Sequence, residues 1–485
     1  MSKFKFSVIL VLLVCFKCCW TQIDEDLVST TPGIENDVIC TQCDCTDNLV
    51  NCSDQNITAL FQDGDWDTLQ DVIPLTVDLS FNKISKIYRF PILPIQVLNL
   101  SNCEIFSLED GSFVNLHNLT ALDLTRNKIS TSAISKRTFF AIPNPTKRTL
   151  EFKMMRHLSL AYNDLHTLPQ DIFIFMSGLT YLDLSGNPLA YIDQVTMGAI
   201  SELKNMRELR LSGCELENLP EGFLRRHRKI QRLDLSDNRF SIIPSALAEA
   251  PSLVYLNFDK NALKIIEANN AITNLTKLQE LSMSRNSRLQ NITAGGLGGL
   301  SSLVVLRLNN NPRLTYLDPG FLVWKNDDGE EMWPMVKELY LNNNNLSGID
   351  PRVLDCWNDL ETGDFSGNSY SCDCNQWMVD VLVPVLKNTP ANGTVNNMVC
   401  KKPADMRGLT FSQLFDTSRL LVCPESENIS ELSAPNMAIL LGIMIGIVVT
   451  FPIVLVLVLL WRKGYFNSSK SYSSPYDDDD EMEKL

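Results

Sequence analysis

One cysteine in the middle of the chain raises the question of what chemistry this protein performs. It is Cys214, in the stretch MRELRLSGCELENLP from residue 206 to residue 220. A single cysteine can act as a nucleophile, bind a metal ion, form half of a disulfide or pack as a small apolar group. The alternating leucines before it, Leu209 and Leu211, predict a short strand with one buried face.

The other residue types that carry out catalysis do not form a recognisable arrangement. The histidines are His117, His157, His166 and His227, and no two of them have the spacing of a metal-binding motif. The sequence contains no G-x-S-x-G motif, no phosphate-binding loop and no supported pair of carboxylates. We therefore expect a protein that is not an enzyme and that needs neither cofactor nor metal.

The stretch around Cys214 recurs along the chain. The same frame appears in LTALDLTRN (119–127), MRHLSLAYN (155–163), LTYLDLSGN (179–187), IQRLDLSDN (230–238), LVYLNFDKN (253–261), LQELSMSRN (278–286), LVVLRLNNN (303–311) and VKELYLNNN (336–344). Weaker copies end at Asn82, Cys103 and Asn368. One such unit cannot bury its own apolar face, so the copies must stack.

These repeats resemble the leucine-rich repeat family, whose signature is L-x-x-L-x-L-x-x-N/C-x-L. The resemblance implies an α/β fold, a curved horseshoe solenoid of about 12 repeats over residues 74–368, with a parallel sheet on its concave face. The ninth position needs a short polar side chain that satisfies backbone groups inside the bend. Cys214 and Cys103 occupy that position, where Cys replaces Asn, so we expect both to be buried free thiols. Four repeats would separate them by roughly 19 Å, too far for a disulfide.

Two groups of four cysteines flank the repeats. Cys40, Cys43, Cys45 and Cys52 precede them, and Cys372, Cys374, Cys400 and Cys423 follow them. Spacing alone leaves three connectivities for each group, and zinc binding is the rival interpretation, less favoured in a secreted chain. The groups resemble the caps of extracellular leucine-rich repeat proteins, over residues 40–73 and 369–424. That resemblance implies the pairs Cys40–Cys45, Cys43–Cys52, Cys372–Cys423 and Cys374–Cys400. Cys356 is left as either a packed thiol or an intermolecular partner.

The two ends of the chain predict insertion into a membrane. Lys3 and Lys5 precede an apolar run to Phe16, which predicts a signal peptide over residues 1–22; an uncleaved anchor is the alternative. Residues 437–461 contain no charge, and Arg462 and Lys463 follow them. Their length of about 37 Å and the positive charge after them predict a type I single-pass protein of the plasma membrane, N-terminus outside.

The C-terminal tail, two glycines of the predicted span and the net charge indicate which partners the protein can have. Residues 462–485 form a short polar tail, which we expect to be disordered in the cytoplasm. Gly442 and Gly446 have the spacing that lets two membrane helices approach, so a homodimer is one possible assembly. The net charge of −15 argues against nucleic acid as a partner.

The variable positions between the leucines predict a binding surface for a protein or glycan ligand on the concave face. Aromatic and arginine side chains, which are enriched at interface anchors, occur there beside other polar residues. The candidates are His157, Tyr162, Tyr181, Asp183, Arg210, Arg232, Asp234, Tyr255, Lys260, Arg285 and Arg307. The alternative is that these positions are polar merely because they are exposed.

Two further features constrain that surface. Sequons for N-glycosylation begin at Asn56, Asn99, Asn118, Asn274, Asn291, Asn345, Asn392 and Asn428, with a poorer one at Asn51 beside Cys52. A glycan on Asn99 would crowd the N-terminal part of the concave face. Insertions at 130–152 and 322–335 interrupt the spacing of the repeats and predict loops.

The sequence therefore predicts a cell-surface protein for adhesion or recognition. The alternative function is that of a co-receptor, or of an innate-immune pattern-recognition component, that signals through a partner chain. Aggregation of expressing cells would favour the first, and binding of only a microbial or soluble ligand would favour the second.

Overall fold

The computed structural model describes residues 38–139, 152–356, 360–387, 392–421 and 450–463, without the side chains of 354–356 and 392–394. The chain divides into two compact units, Met1–Leu421 and Val422–Leu485. In the second unit residues 450–462 are helical. No helix within the described residues is both long enough and apolar enough to cross a membrane. Of the predicted span 437–461, residues 437–449 lie outside the described part, as do the signal peptide, Gly442, Gly446 and most of the tail.

The first unit is built on one sheet of 14 strands that follow each other in chain order. Strands β1 and β2 are antiparallel, and every later neighbour is parallel. The strands are β1 (Asp44–Cys45), β2 (Leu49–Asn51), β3 (Leu75–Asp78), β4 (Ile95–Asn99), β5 (Ala121–Asp123), β6 (His157–Ser159), β7 (Tyr181–Asp183), β8 (Glu208–Arg210), β9 (Arg232–Asp234), β10 (Tyr255–Asn257), β11 (Glu280–Ser282), β12 (Val305–Arg307), β13 (Glu338–Tyr340) and β14 (Thr362–Asp364).

Short elements connect these strands. Small parallel sheets pair Lys86–Ile87 with Ser107–Leu108, and join Ile265–Ile266, Asn291–Ile292 and Tyr316–Leu317. The α-helices are Val38–Gln42, Gln194–Ser201, Val383–Lys387 and Phe411–Asp416, with a π-helix at Met378–Leu382. The 3₁₀ segments are Asp63–Leu69, Thr131–Ala133, Lys136–Thr138, Ser245–Glu249, Ala271–Asn274, Pro351–Cys356, Cys372–Cys374 and Asn392–Asn397.

The leucines of the repeat form a continuous core. In each strand from β5 to β13 the middle residue is a buried leucine. The residues on either side of it point to the opposite face of the sheet. Behind the sheet, the aromatic rings of Trp66, Phe90, Phe113, Phe139 and Phe152 follow each other with centroids 5.7–6.2 Å apart. Ring pairs at this separation add to the burial of each ring, so successive repeats are held in one register.

A ladder of buried polar side chains runs along the inside of the bends. Asn238 is representative: its Oδ1 accepts from the backbone N–H groups of Cys214 and Leu216 at 3.1 and 2.9 Å. Its Nδ2 donates to the carbonyls of Leu211 and Leu235 at 2.7 and 3.0 Å. One side chain thus satisfies backbone groups of two repeats. The members of the ladder are Asn82, Cys103, Asn127, Asn163, Asn187, Cys214, Asn238, Asn261, Asn286, Asn311, Asn344 and Asn368.

The two thiols of the ladder confirm the sequence prediction. Cys103 and Cys214 are unpaired and buried. Each Sγ donates to a carbonyl of the preceding repeat, Leu79 at 3.0 Å and Leu184 at 3.2 Å. Burial raises the pKa of Cys103 to about 11 and that of Cys214 to about 12. Neither thiol is therefore a reactive nucleophile.

A second column has an unusual backbone. The residue before each ladder position has a positive φ, between 52° and 69°. Its members are Phe81, Asn102, Arg126, Tyr162, Gly186, Gly213, Asp237, Lys260, Arg285, Asn310, Asn343 and Gly367. Only three are glycine, so nine side chains sit in a conformation that costs an L-residue about 1–2 kcal/mol. The tight turn after the strand requires this conformation.

Disulfides close both ends of the first unit. Cys40–Cys45 and Cys43–Cys52 form as the family resemblance implies. At the other end the implied pairing is wrong, because Cys372 is bonded to Cys400. Ser371 and Lys402 form a β-bridge and the Cys372 N–H donates to the Lys402 carbonyl at 2.9 Å, which aligns these two cysteines. Cys374 is also disulfide-bonded, whereas Cys423 and the side chain of Cys356 lie outside the described residues.

The two insertions differ in form. Of residues 130–152, the described part joins its neighbours through Lys136–Asp171 and Arg137–Asp110, at 3.2 and 3.6 Å. The insertion at 322–335 is a β-hairpin rather than a plain loop. Its strands, Trp324–Lys325 and Glu331–Met332, are antiparallel.

His227 takes the place of an apolar residue in the core. It stands five residues before its strand, where the neighbouring repeats have Leu203 and Ala250. Its Nδ1 contacts the Leu203 carbonyl at 3.3 Å, and its buried Nε2 has no hydrogen-bond partner among the residues that the structure describes. Burial lowers the pKa of His227, so folding favours the neutral form of this ring.

Removal of the ladder amide should be costly. We expect Asn238→Ala to lower the free energy of unfolding by about 2–4 kcal/mol, because several buried backbone groups lose their partner. Asn238→Cys, which repeats the natural solution at Cys214, should lose clearly less. Chemical denaturation followed by tryptophan fluorescence measures both variants, and equal stability of Asn238→Ala and the parent chain would contradict the assigned role.

His227 should make the fold sensitive to acid. Because its pKa is lower folded than unfolded, the unfolded chain binds more protons below the ordinary pKa of about 6.5. The unfolding free energy should therefore fall as the pH drops below that value, and His227→Leu should flatten the fall. Denaturation at pH 8 and pH 5 tests this, with exposed His166→Gln as the control. An equally steep fall in His227→Leu would exclude His227 as the cause.

Candidate ligand-binding face

Each strand of the large sheet presents its first and third residues outward, and these positions form the surface that we call the sheet face. The register pairs His157 with Tyr181, Tyr181 with Glu208, Glu208 with Arg232 and Arg232 with Tyr255. Parallel strands lie about 4.8 Å apart, so these side chains contact each other from one repeat to the next. We call this group, with Asp183, Arg210 and Asp234 beside it, the central cluster.

Tyr181 and Arg210 are half-buried neighbours in the central cluster. The guanidinium of Arg210 lies 5.2 Å from the ring centre of Tyr181 and donates to Glu208 Oε1 at 2.8 Å. The Tyr181 hydroxyl donates to Asp183 Oδ2 at 3.2 Å. Burial, followed by the charge of Asp183, raises the pKa of Tyr181 above its usual value, so the hydroxyl stays protonated. His157 packs beside it, with ring centres 5.6 Å apart, and burial lowers the pKa of that imidazole.

Arg232 links the two halves of the central cluster. Its guanidinium carbon lies 4.0 Å from the ring centre of Tyr255, and its Nε lies 3.8 Å from Glu208 Oε2. Glu208 is therefore shared by two arginines, each of which also lies over a tyrosine ring. Arginine stacked on an aromatic ring beside a carboxylate keeps its planar group in a fixed orientation.

A similar group, the C-terminal cluster, is centred on Arg307. This side chain contacts Glu280, lies 3.8 Å from Glu338 Oε2 and lies 5.3 Å from the ring centre of Tyr340. Glu208, Glu280, Glu338 and Tyr340 were not among the predicted site residues. They occupy the same positions in the repeat as the predicted residues. They were not predicted because the prediction favoured aromatic and arginine side chains of the central repeats.

The two predicted aspartates have a structural role. Asp183 Oδ1 accepts from the backbone N–H of Ser185, and Asp234 Oδ1 from that of Ser236, both at 2.9 Å. Such bonds two residues ahead form an Asx turn and help the strand end. Asp183 is moreover 9% exposed. Asp183 therefore has little surface left for a ligand.

Three predicted residues do not lie on the strands. Tyr162, Lys260 and Arg285 belong to the column with positive φ, at the margin of the sheet face. The guanidinium of Arg126 lies 4.6 Å from the Tyr162 ring centre, and Lys260 pairs with Asp237 at 3.2 Å. The structure thus separates them from the central cluster, although they are exposed.

The sequons lie mostly away from the central cluster. Asn56, Asn118, Asn274 and Asn345 are exposed. Asn99 is half-buried on β4, and its Oδ1 accepts from the Ser101 N–H at 3.0 Å, whereas Asn291 lies on a separate short strand. The Asn392 side chain and Asn428 lie outside the described residues. In that described part there is also no group of three or more His, Cys, Asp or Glu arranged to bind a metal.

Comparison with known families agrees with this geometry. The family model described as Leucine rich repeat matches residues 94–144, 153–216 and 204–263, and a second model of that description matches 335–357. Over these residues the chain consists of leucine-rich repeats. Its N-terminal cap is closed by two disulfides.

The chain is similar to several curated proteins. Osteomodulin of Bos taurus is 28% identical over 273 residues, which is 56% of this chain and 57% of that protein. Tsukushi of Gallus gallus is 28% identical over 273 residues, 56% of this chain and 67% of that protein. Osteomodulin of Rattus norvegicus is 30% identical over 211 residues, 40% of this chain and 48% of that protein. The chain thus spans about half the length of both osteomodulins.

Among solved structures, a chain from the octameric complex of Latrophilin 3, Unc5D and FLRT2 is also similar. The TM-score is 0.44 and the identity 18%, over 76% of this leucine-rich repeat protein and 95% of that chain.

The central cluster should behave as one coupled unit. We expect a double-mutant cycle of Glu208→Gln and Arg210→Gln to give a coupling energy of about 0.3–1 kcal/mol, the range of partly exposed ion pairs. A cycle of Glu208→Gln with Arg239→Gln is the control and should give none, because Arg239 pairs with Glu215. Unfolding in denaturant measures both cycles. Equal coupling energies would contradict the arrangement described.

Proposed function

We propose that this leucine-rich repeat protein is a cell-surface recognition protein whose central cluster binds a protein ligand, most directly in cell adhesion. The observation that carries the proposal is the chain of Tyr181, Arg210, Glu208, Arg232 and Tyr255 across β7–β10. Tyrosine and arginine are the types that dominate binding energy at protein interfaces, and here they lie side by side at the middle of a long sheet.

The electrostatics of the central cluster favour selective binding of one partner over non-specific binding of many. Its arginines already contact Glu208, so a ligand must supply carboxylates or hydrogen-bond acceptors in matching places to gain from displacing these contacts. The tyrosine rings offer flat apolar area with few rotatable bonds, which limits the entropy lost on binding. A surface of this length and composition suits a folded protein better than a small molecule.

Membrane attachment is part of the proposal and is supported by the sequence. The uncharged run at 437–461 and the basic pair after it are typical of a single-pass span. We therefore propose that the repeats face the cell exterior, where disulfides such as Cys40–Cys45 persist. Dimerisation through Gly442 and Gly446 remains a prediction of the same sequence argument.

The first experiment searches for the ligand. The epitope-tagged ectodomain, residues 24–436, is used to probe an array of extracellular proteins, and hits are confirmed by surface plasmon resonance. Aggregation of cells that express the full chain then separates adhesion from the co-receptor alternative. Binding confined to a soluble or microbial ligand, without aggregation, would favour the co-receptor role.

Variants of the central cluster test which surface binds. We expect Arg232→Glu and Tyr255→Ala each to weaken binding of a confirmed ligand by at least about tenfold, the effect of an interface anchor. Matched controls, Arg239→Glu and Tyr316→Ala, remove the same residue types elsewhere and should change affinity by less than about twofold. Unchanged affinity in both central variants would exclude the central cluster as the binding site.

A further inference from the structure

The residues that immediately precede the central strands of the sheet carry charge of a single sign. In the four residues that precede each of strands β6–β12, there are seven Lys or Arg and no Asp or Glu. The whole chain has 57 acidic and 42 basic residues and is therefore acidic, whereas these positions are basic. All seven are exposed or half-buried, and we call them the basic edge: Lys153, Arg156, Lys204, Arg207, Arg228, Lys229 and Lys277.

Hydrogen bonds join the basic edge across successive repeats. The Lys229 Nζ donates to Asn205 Oδ1 at 2.8 Å, and the Asn205 Nδ2 donates to the Ser177 carbonyl at 2.9 Å. The guanidinium of Arg156 lies over Gly178, where a Cβ would be 2.2 Å from one of its nitrogens. The cations precede β6, β8, β9 and β11. At about 4.8 Å per strand they extend over roughly 24 Å, so they form a line and not an isolated pair.

Elsewhere the repeats place opposite charges at equivalent positions. Lys128 pairs with Glu104 at 2.7 Å, and Arg239 with Glu215 at 2.7 Å, in each case one repeat apart. Along the basic edge the equivalent neighbours are cationic or neutral. Lys204, Arg207 and Arg228 form no ion pair in the described part of the chain, and the nearby carboxylate of Glu208 is shared by Arg210 and Arg232. A row of like charges is unfavourable for stability alone, which points to an anionic ligand.

We propose that the basic edge binds a linear sulfated polysaccharide, which lies across strands β6–β11 beside the sheet face. Arginine can donate two parallel hydrogen bonds to an oxyanion, and each lysine adds a compact positive charge. Neutral hydrogen-bonding side chains lie between the cations, among them Asn205, Gln231 and Gln279. They match the hydroxyl groups that alternate with sulfates along such a polymer.

The shape of the basic edge favours this ligand over an anionic membrane. Its cations form a row one or two residues wide before β6, β8, β9 and β11, whereas a bilayer requires a broad surface with apolar residues that insert into it. The site is also separate from the central cluster, because its residues precede the strands and the cluster residues lie on them. Binding at the basic edge therefore does not depend on the function proposed above.

The test measures binding of the full-length chain, in detergent, to an immobilised heparin dodecasaccharide by biolayer interferometry. We expect binding that weakens with salt, and about tenfold weaker binding for the triple variant Arg207→Ser, Arg228→Ser, Lys229→Ser, which lacks three exposed cations. The control variant Lys128→Ser, Arg239→Ser, Lys260→Ser loses the same charge on the other side of the strands. It should change affinity by less than about twofold.

Three results would overturn the proposal. They are no binding by the parent chain, equal loss in the edge and control variants, and equal binding of fully desulfated heparin. Vesicles of phosphatidylserine and phosphatidylcholine are tested alongside, and a loss in the triple variant seen only with vesicles would assign the basic edge to lipid instead. Thermal unfolding verifies that both triple variants are folded. Tyr255→Ala should keep heparin binding, which separates this outcome from that of the central cluster.

Discussion

The structure depends on the satisfaction of backbone groups inside each bend by one buried side chain. A chain that turns sharply after every strand leaves N–H and C=O groups facing an apolar core, where an unpaired group is costly. The ladder from Asn82 to Asn368 supplies both a donor and acceptors at each turn and joins each repeat to the one before. Leucine burial supplies most of the stability, but the ladder determines which register that burial adopts.

The sheet face follows from the same register. Because strands β6–β10 align residue for residue, side chains that are about 24 residues apart in sequence become neighbours. The arginines and tyrosines of the central cluster are held by each other and by Glu208, and so are ordered before a ligand arrives. Preorganisation of this kind lowers the entropy lost on association. It also restricts the partners to those whose charges fit.

Much of the fold could be predicted from the sequence because the repeat is a local pattern. The spacing of leucines, and the replacement of Asn by Cys at positions 103 and 214, each report on a single bend. The pairing of Cys372 with Cys400 could not be predicted in that way, since the cysteines of CDC at 372–374 are two residues apart and only a β-bridge to Lys402 distinguishes them. The contacts of Glu208 and Glu338 were missed for a related reason, because their partners lie in other repeats. The structural role of Asp183 depends on a turn that its residue type alone does not reveal.

The two thiols of the ladder bear on how the chain matures. If the chain folds in an oxidising compartment, as proposed above, Cys103 and Cys214 are open to disulfide exchange until their repeats stack, and the four cysteines of the N-terminal cap precede both of them in the chain. Those cap bridges close loops of only 5 and 9 residues, so they can form early during synthesis, before either ladder thiol emerges. Burial then removes the thiols from competition by suppressing their thiolate form. The order in which the chain is synthesised would thus protect the native cap from disulfide exchange, and slower stacking of the early repeats would be seen first as misoxidised protein.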